Sequence, residues 1–102
     1  MNNLRLRNKW EYKGNNRWNW GVFIDDDNSG KLKDITFVEY VLHPSFPNPR
    51  RIEKNQKENF IHWTNGWGVF LVKAFVHTKS GKRIKLEHHL ELKHEPIKGE
   101  SN

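Results

Sequence analysis

Two short runs of the chain place a large aromatic side chain on constrained backbone, beside polar groups that could bind a ligand. The first run is His43-Pro44-Ser45-Phe46-Pro47-Asn48-Pro49, and the second is Asn65-Gly66-Trp67-Gly68-Val69-Phe70. The first supplies a hydroxyl and an imidazole, and the second supplies glycine-flanked backbone amides. A pocket built from two such loops suits a flat ligand with an apolar part and an amide. It suits bond-breaking chemistry less well, so the two runs indicate a recognition module.

An enzyme would need a positioned nucleophile or a metal. Ser45 and His43 could be imagined in a hydrolytic triad, but they are two residues apart and no Gly-x-Ser-x-Gly elbow surrounds the serine. Of the six histidines, His88 and His89 are adjacent and therefore point to opposite faces of a strand. The chain has no cysteine, which excludes a thiolate site. We predict no enzymatic activity, no cofactor and no metal.

Charge and length limit the class of protein further. The 102 residues carry a net charge of +6 and fit one domain. The adjacent pairs Arg50-Arg51 and Lys82-Arg83 could belong to a solubilising surface or to a patch that attracts nucleic acid or acidic protein segments. No apolar stretch reaches membrane-spanning length, and the first residues lack the apolar core of a signal peptide. We therefore expect an intracellular protein with no membrane partner.

The elements that must position the two runs are strands, because apolar and polar residues alternate along most of the chain. Alternation predicts strands at Leu4–Tyr12 and Trp18–Ile24, which are joined by a turn at Gly14-Asn15-Asn16. A strand that is apolar on both faces is predicted at Ile35–Leu42, and a short one at Phe60–Trp63 before an Asn65-Gly66 turn. The remaining segments are predicted to be loops: the acidic hairpin loop Asp25–Gly30, Pro44–Arg51 and Glu53–Asn59.

The last two strands form a predicted hairpin around Ser80-Gly81. A two-residue turn there would pair Lys79 with Lys82 and set Phe75 opposite Leu86 on the core face. About seven short strands with regular turn signals indicate an all-β fold, an antiparallel β-sandwich of immunoglobulin type. We predict a single domain over residues 1–95 and a flexible tail over residues 96–102.

Aromatic residues on the strands and in the loops have different expected roles. Trp10, Tyr12, Trp18 and Trp20 lie between basic residues, as in a sheet that binds single-stranded nucleic acid, but they share one alternation phase. A small fold needs that apolar area, so a core role is favoured. The loop aromatics Phe46 and Trp67 could equally be plugs that cap the sandwich or walls of a pocket.

A resemblance favours the pocket. Val41-Leu42-His43-Pro44-Ser45-Phe46-Pro47-Asn48-Pro49-Arg50, followed by Gly66-Trp67-Gly68-Val69-Phe70, resembles the YEATS domain, whose hallmark is an LHxSFxxP segment and a later GWGxF segment. The resemblance extends over residues 16–93. It implies an immunoglobulin-like sandwich that reads acylated lysine, acetyl or crotonyl, on histone tails without catalysis. It therefore implies an acylated-lysine protein or peptide as the partner.

The resemblance also implies a role for each matching residue. Phe46 and Trp67 would stack on the two faces of the acyl-amide, and the Trp67 backbone N–H would bond its carbonyl. The Ser45 hydroxyl would bond the amide N–H, and His43 would form one wall and orient Ser45. The glycines that permit close approach of the ligand would be Gly66 and Gly68.

Two positions depart from the family pattern. Asn16 stands where the family has a further pocket aromatic, and Trp18 is its substitute in this interpretation. His89 stands where some members have an acidic residue that contacts a basic peptide. The compact length is closer to prokaryotic members, which would be cytoplasmic, than to a nuclear eukaryotic transcription subunit.

Two functions therefore follow from the sequence. The first is a non-catalytic acyl-lysine reader, acting as a monomer or as a module of a larger assembly. The alternative is a basic β-sandwich that binds nucleic acid or serves as a protein-interaction scaffold, in which the loop aromatics are structural.

Overall fold

The computed structural model describes residues 4–66, 68–94 and 98–101, which form two packed antiparallel sheets of four strands each. The strands are β1 (Arg5–Gly14), β2 (Arg17–Asp25), β3 (Ile35–Val41), β4 (Arg50–Glu53), β5 (His62–Gly66), β6 (Leu71–Thr78), β7 (Arg83–His89) and β8 (Lys98–Glu100). Their order is β5-β2-β1-β8 in the first sheet and β4-β3-β6-β7 in the second. The predicted all-β sandwich is confirmed. Within the described ranges, no helix has the length and apolar character needed to cross a membrane.

The β1–β2 hairpin has the predicted strands and turn. Trp10 pairs with Trp20 across the hairpin. Asn15 and Asn16 occupy the turn with φ of 55° and 56°. Left-handed backbone at both central residues matches the right-handed twist of the flanking strands, and asparagine tolerates it better than most residues do.

The aromatic stripe of this hairpin is core. Trp10, Trp18 and Trp20 are 3%, 5% and 0% exposed. They pack in one cluster with side chains of the second sheet, including Tyr40 and Val76. Because side chains alternate between the two faces of a strand, one phase of β1 and β2 supplies this side of the core. The interpretation as a solvent-facing stacking platform for nucleic acid is therefore wrong for these residues.

The β6–β7 hairpin differs from the prediction by one residue in register. Phe75 pairs with Lys85, and Ala74 pairs with Leu86. The turn has three residues rather than two: the Thr78 carbonyl accepts from the Gly81 N–H at 3.0 Å, and Gly81 has φ of 89°. A three-residue turn of this kind adds a bulge, and a one-residue slip inverts every side chain of a strand. The buried side chains of β6 are Val72, Ala74 and Val76, whereas Phe75, predicted on the core face, lies on the opposite face and is half-buried.

The chain around β4 and β5 also departs from the prediction. Arg50–Glu53 is a strand, although Pro44–Arg51 was predicted to be loop. The Asn65-Gly66 pair is the end of β5, where Gly66 pairs with Trp18, and is not a turn. The predicted strand began at Phe60, but Phe60 precedes β5 and has φ of 56°. Its side chain is 1% exposed and lies in the core.

The Tyr40 hydroxyl fixes this corner because it donates to the Phe60 carbonyl at 2.8 Å. Burial raises the pKa of Tyr40 well above its usual value. Replacing Tyr40 by Phe leaves the buried carbonyl without its donor, and we expect the free energy of unfolding to fall by about 1–3 kcal/mol. Urea denaturation measures this loss. Tyr12→Phe, a partly exposed hydroxyl, is the matched control, and equal effects of the two variants would contradict the prediction.

The acidic loop is not the solvated hairpin loop that was predicted, because β2 and β3 lie in different sheets. The Asp26 side chain is 9% exposed and accepts hydrogen bonds from the backbone N–H groups of Asn28, Gly30 and Leu32 at 3.2, 3.1 and 3.4 Å. A carboxylate that accepts several backbone N–H groups stabilises the turn around it. This loop therefore has a structural role in crossing between the sheets.

The end of the described chain contains a strand that the alternation pattern did not predict. Part of the predicted flexible tail forms β8, which pairs with β1 at Lys9–Glu11. Ser101 is fully buried, and its hydroxyl accepts from the Asn8 N–H at 2.8 Å. The Ser101 carbonyl accepts from the Arg7 guanidinium at 2.6 Å. Residues 95–97 and 102 lie outside the described residues.

A buried polar network joins β1, β7 and the chain after β7. The Asn8 amide donates to the Glu91 carbonyl at 2.7 Å, so its Oδ1 faces His88 Nε2 at 2.7 Å and must accept from it. His88 is half-buried, and this burial lowers its pKa. The neutral imidazole is therefore the form that the folded protein favours.

This lowered pKa predicts a pH dependence of stability. The unfolded state takes up a proton at His88 more readily than the folded state does, so the unfolding free energy falls as the pH drops below about 6.5, the ordinary value for histidine. We expect a lower melting temperature at pH 5.5 than at pH 7.5, and a smaller difference in His88→Gln. His89→Gln, an exposed neighbour, is the control and should retain the wild-type difference.

Candidate functional site

A cavity of about 400 Å³ opens at one end of the sandwich, between the β3–β4 loop and the chain from β5 to β6. Both runs that the sequence singled out contribute to it. The lining residues are His43, Ser45, Phe46, Pro47, Asn65, Gly66, Gly68, Val69 and Phe70. Five of the eight predicted site residues are therefore brought together: His43, Ser45, Phe46, Gly66 and Gly68.

His43 and Ser45 form a local pair of hydrogen bonds. The Ser45 backbone N–H donates to His43 Nδ1 at 3.1 Å, and Ser45 Oγ lies 2.9 Å from the same nitrogen. Because Nδ1 accepts from the backbone, the serine hydroxyl is the donor in the second bond. The lone pairs of Oγ remain available to accept a hydrogen bond from a ligand. The imidazole thus orients the Ser45 hydroxyl so that its oxygen can accept a hydrogen bond from a ligand.

Phe46 forms an aromatic wall beside this pair. Its ring meets Trp20 edge-on at 6.0 Å between centroids and 89° between planes, and it lies 5.6 Å from the Phe70 ring. The turn that presents it is closed by a hydrogen bond from the Phe46 N–H to the His43 carbonyl at 3.0 Å. Edge contacts to buried rings hold Phe46 while leaving it half-exposed towards the cavity.

Arg51 holds the β3–β4 loop, which carries Phe46, through hydrogen bonds to its carbonyl groups. Its guanidinium donates to the Pro47 carbonyl at 2.8 Å and also to the Asn48 carbonyl. The Arg51 guanidinium also lies 3.2 Å from His62 Nε2, and His62 Nδ1 lies 2.6 Å from the Glu53 carboxylate. This chain of contacts joins the β3–β4 loop to β4 and β5, and it fixes the position of the loop that carries Phe46.

The two cavity glycines differ in their surroundings. A Cβ added to Gly66 would lie 3.4 Å from Trp20 Nε1 and 3.9 Å from Phe46 Cζ, so a side chain there would fill the inner part of the cavity. A Cβ added to Gly68 would meet nothing within 4 Å. Gly66 is therefore the position at which a ligand needs the absence of a side chain.

Two of the described predicted site residues, Trp18 and His89, do not line the cavity. Trp18 is buried and its Nε1 donates to the Lys93 carbonyl at 3.0 Å, so its contacts are structural. His89 is exposed at the end of β7, opposite Leu71. Trp67 lies outside the described residues.

The cavity wall carries no Lys, Arg, Asp or Glu among its described residues. Arg50, at the start of β4, is engaged elsewhere: its Nε lies 2.9 Å from the Glu39 carboxylate. Across residues 4–66, 68–94 and 98–101, no group of three acidic or histidine side chains could hold a metal ion. The arrangement suits a neutral, planar ligand with a hydrogen-bond donor.

Sequence reasoning missed Phe70 and Arg51 as parts of the site. Phe70 lies in the second motif, and its ring contacts both Phe46 and His43. The sequence analysis gave Phe70 no separate role in the pocket. Arg51 was considered only as half of a basic pair. Its hydrogen bonds to the carbonyl groups of Pro47 and Asn48 could not be predicted from the sequence.

Solved structures with the same fold are YEATS domains. The Yaf9 YEATS domain bound to H3K27ac superposes with a TM-score of 0.73 at 21% identity, covering 96% of this chain and 78% of that one. Yaf9, the yeast AF-9 homolog, gives a TM-score of 0.71 at 21% identity, covering 93% and 70%. The Yaf9 YEATS domain recognising an H3K122suc peptide gives 0.65 at 19% identity, covering 96% and 79%. Among curated proteins, none matches the chain significantly.

The sequence itself matches a family description. The pattern of the prokaryotic YEATS domain matches residues 18–91, which is more than half of the chain and includes both runs that line the cavity. The sandwich fold and the two motifs agree with this match. The chain therefore belongs to the prokaryotic YEATS domain family.

Proposed function

We propose that the protein is a non-catalytic reader of acylated lysine, which enters the cavity beside Phe46. The observation that carries this proposal is the His43–Ser45 pair, in which Ser45 Oγ is oriented as an acceptor at a cavity with no charged wall. An acylated lysine presents a flat amide whose N–H needs an acceptor. An unmodified lysine presents a charged ammonium, which this wall cannot compensate.

In this proposal the amide N–H donates to Ser45 Oγ, and one face of the amide packs on the Phe46 ring. The amide carbonyl accepts from the Trp67 backbone N–H, and the indole of Trp67 covers the opposite face. Trp67 lies outside the described residues, and its role rests on the family resemblance. A neutral amide can leave water only if both of its polar atoms find partners. The two loops provide one partner for each atom.

The structural relatives support the chemical class of the ligand. Yaf9 structures contain H3K27ac and an H3K122suc peptide, both of which carry an acylated lysine. The present chain carries a net charge of +6, which disfavours a strongly basic peptide. We therefore propose an acylated lysine in a neutral or acidic protein segment as the partner.

The experiment that tests the proposal is an NMR titration of isotope-labelled protein with acetyl-lysine, crotonyl-lysine and unmodified lysine peptides. Shifts at Ser45, Phe46, Gly66 and Gly68 that depend on the acyl group are the expected result. Absence of these shifts in a folded protein would overturn the proposal. A binding signal with single-stranded DNA that weakens steeply with salt would instead favour the basic-module alternative.

Ser45 gives a sharper form of the same test. In Ser45→Ala the ligand amide N–H loses its acceptor inside the complex, and an unmet polar group of this kind costs about 1–3 kcal/mol, or roughly tenfold or more in affinity. Titration calorimetry with the acetyl-lysine peptide measures the loss. Ser29→Ala, in the exposed loop between β2 and β3, is the matched control. Equal affinity of the two variants would show that Ser45 Oγ does not hold the ligand.

A further inference from the structure

The indole N–H of Trp20 is a buried donor without a partner. Trp20 is 0% exposed, and its Nε1 has no hydrogen-bond partner among the described residues. The buried indole of Trp18, two residues earlier on the same face of β2, donates to the Lys93 carbonyl. Most buried polar groups in folded proteins are satisfied. Among the described residues, Trp20 Nε1 and His77 Nε2 are the two buried side-chain atoms without a hydrogen-bond partner, and Trp20 is the one whose ring contacts the cavity aromatics Phe46 and Phe70.

This donor lies directly behind the cavity wall. The Trp20 ring meets two cavity aromatics edge-on: Phe46 at 6.0 Å and Phe70 at 5.8 Å between centroids. A Cβ added to Gly66, which lines the cavity, would lie 3.4 Å from Trp20 Nε1 and 3.9 Å from Phe46 Cζ. Trp20 itself is fully buried and is not a lining residue. A ligand atom that takes the space left open at Gly66 is placed to accept from the indole N–H.

The Ser45 hydroxyl and the Trp20 indole N–H lie at different depths. Ser45 is exposed at the mouth of the cavity, whereas Trp20 is fully enclosed. An amide held by Ser45 therefore directs its acyl chain towards Gly66 and Trp20. Ser45 Oγ binds the amide N–H, and the Trp20 indole N–H is left to bind an atom further along the acyl chain.

We propose that Trp20 Nε1–H is a specificity-determining donor for acyl chains that carry a neutral oxygen beyond the amide, namely hydroxyacyl or ketoacyl groups on lysine. This inference rests on the proposed acyl-lysine reader function. The oxygen is neutral because the described cavity wall has no cation to compensate a carboxylate. A plain alkyl chain would leave the indole N–H unpaired, whereas a hydroxyl or ketone oxygen would satisfy it.

The test compares peptides that differ by one oxygen. Calorimetry with butyryl-lysine and with each enantiomer of 3-hydroxybutyryl-lysine should give about tenfold tighter binding of one hydroxylated peptide, because it satisfies the buried donor. In Trp20→Phe this ratio should fall to about one while butyryl-lysine still binds. Trp63→Phe, a tryptophan that is 51% exposed on β5, is the matched control and should keep the wild-type ratio.

A measurement on the wild-type protein guards against a Trp20→Phe variant that does not fold. The indole N–H resonance of Trp20 should move downfield with the hydroxylated peptide and much less with butyryl-lysine. Equal affinities for both peptides, or an unmoved Trp20 resonance while Phe46 and Gly66 shift, would overturn the specificity inference alone. Failure of every acyl-lysine peptide to bind would overturn the reader function and this inference together.

Discussion

Replacing Phe46 by alanine is expected to remove measurable acyl-lysine binding while the domain stays folded. Phe46 supplies the aromatic face on which the amide packs, and central aromatic residues of this kind contribute about 2 kcal/mol or more to binding. A loss of this size weakens the complex by roughly 30-fold or more. The fold should tolerate the change because Phe46 is half-exposed on a loop, and Trp20 keeps its contact with Phe70. Calorimetry with acetyl- and crotonyl-lysine peptides measures the effect.

Phe75→Ala is the matched control for Phe46→Ala. Phe75 is also half-buried, but it lies on the outer face of β6 beneath the Arg83 guanidinium. We expect wild-type affinity in this variant. If Phe46→Ala binds acyl-lysine as tightly as Phe75→Ala does, the β3–β4 loop is a structural cap and the ligand-binding role of the cavity is wrong.

The largest expected change in stability comes from Gly99→Ala. A Cβ at position 99 would overlap the Trp10 indole, which is buried at the centre of the first sheet. Either Trp10 moves within the core or β8 leaves the edge of β1. Steric overlap of this kind costs about 1–3 kcal/mol. The loss of β8 would also break the hydrogen bonds of Ser101 to Asn8 and Arg7.

Urea denaturation followed by tryptophan fluorescence measures the stability of this variant, and amide exchange reports whether Lys98–Glu100 remains paired. Gly68→Ala is the control for adding one methyl group, because nothing lies within 4 Å of its Cβ position. Unchanged stability and unchanged protection in Gly99→Ala would mean that β8 is not held against Trp10.

The strands with one clean alternation were predictable from the sequence, whereas the register of β6 was not. β1 and β2 alternate large aromatic and polar residues, so only one face could be core. β6 is apolar on both faces, and the segment Lys79-Ser80-Gly81 does not distinguish a two-residue turn from a three-residue turn. In the three-residue turn, the Lys82 N–H donates to Thr78 Oγ1 at 3.0 Å, in addition to the backbone hydrogen bonds between Thr78 and Lys82 and between Gly81 and Thr78. Alternation alone does not encode these contacts.

The candidate site divides in the same way between local and distant contacts. The His43–Ser45 pair joins residues two apart, so the sequence alone could suggest it. The contacts of Arg51 with the loop carbonyls, and the approach of Trp20 to Gly66, depend on how strands pair across the sandwich. No residue pattern encodes such approaches directly. β8 belongs to the same class, because Lys98-Gly99-Glu100 has no apolar alternation and is placed by its pairing with Lys9–Glu11 of β1.

The short strand β8 also bears on how the domain avoids associating with itself. β1 is ten residues long and is the longest strand, and a long strand at the edge of a sheet is a template for pairing with another chain. β8 occupies the middle of that edge at Lys9–Glu11. The remaining edge strand of the same sheet, β5, is only five residues long. The three residues of β8 therefore cover the β1 edge, where another chain could otherwise pair and extend the sheet. In this way they protect the domain against aggregation.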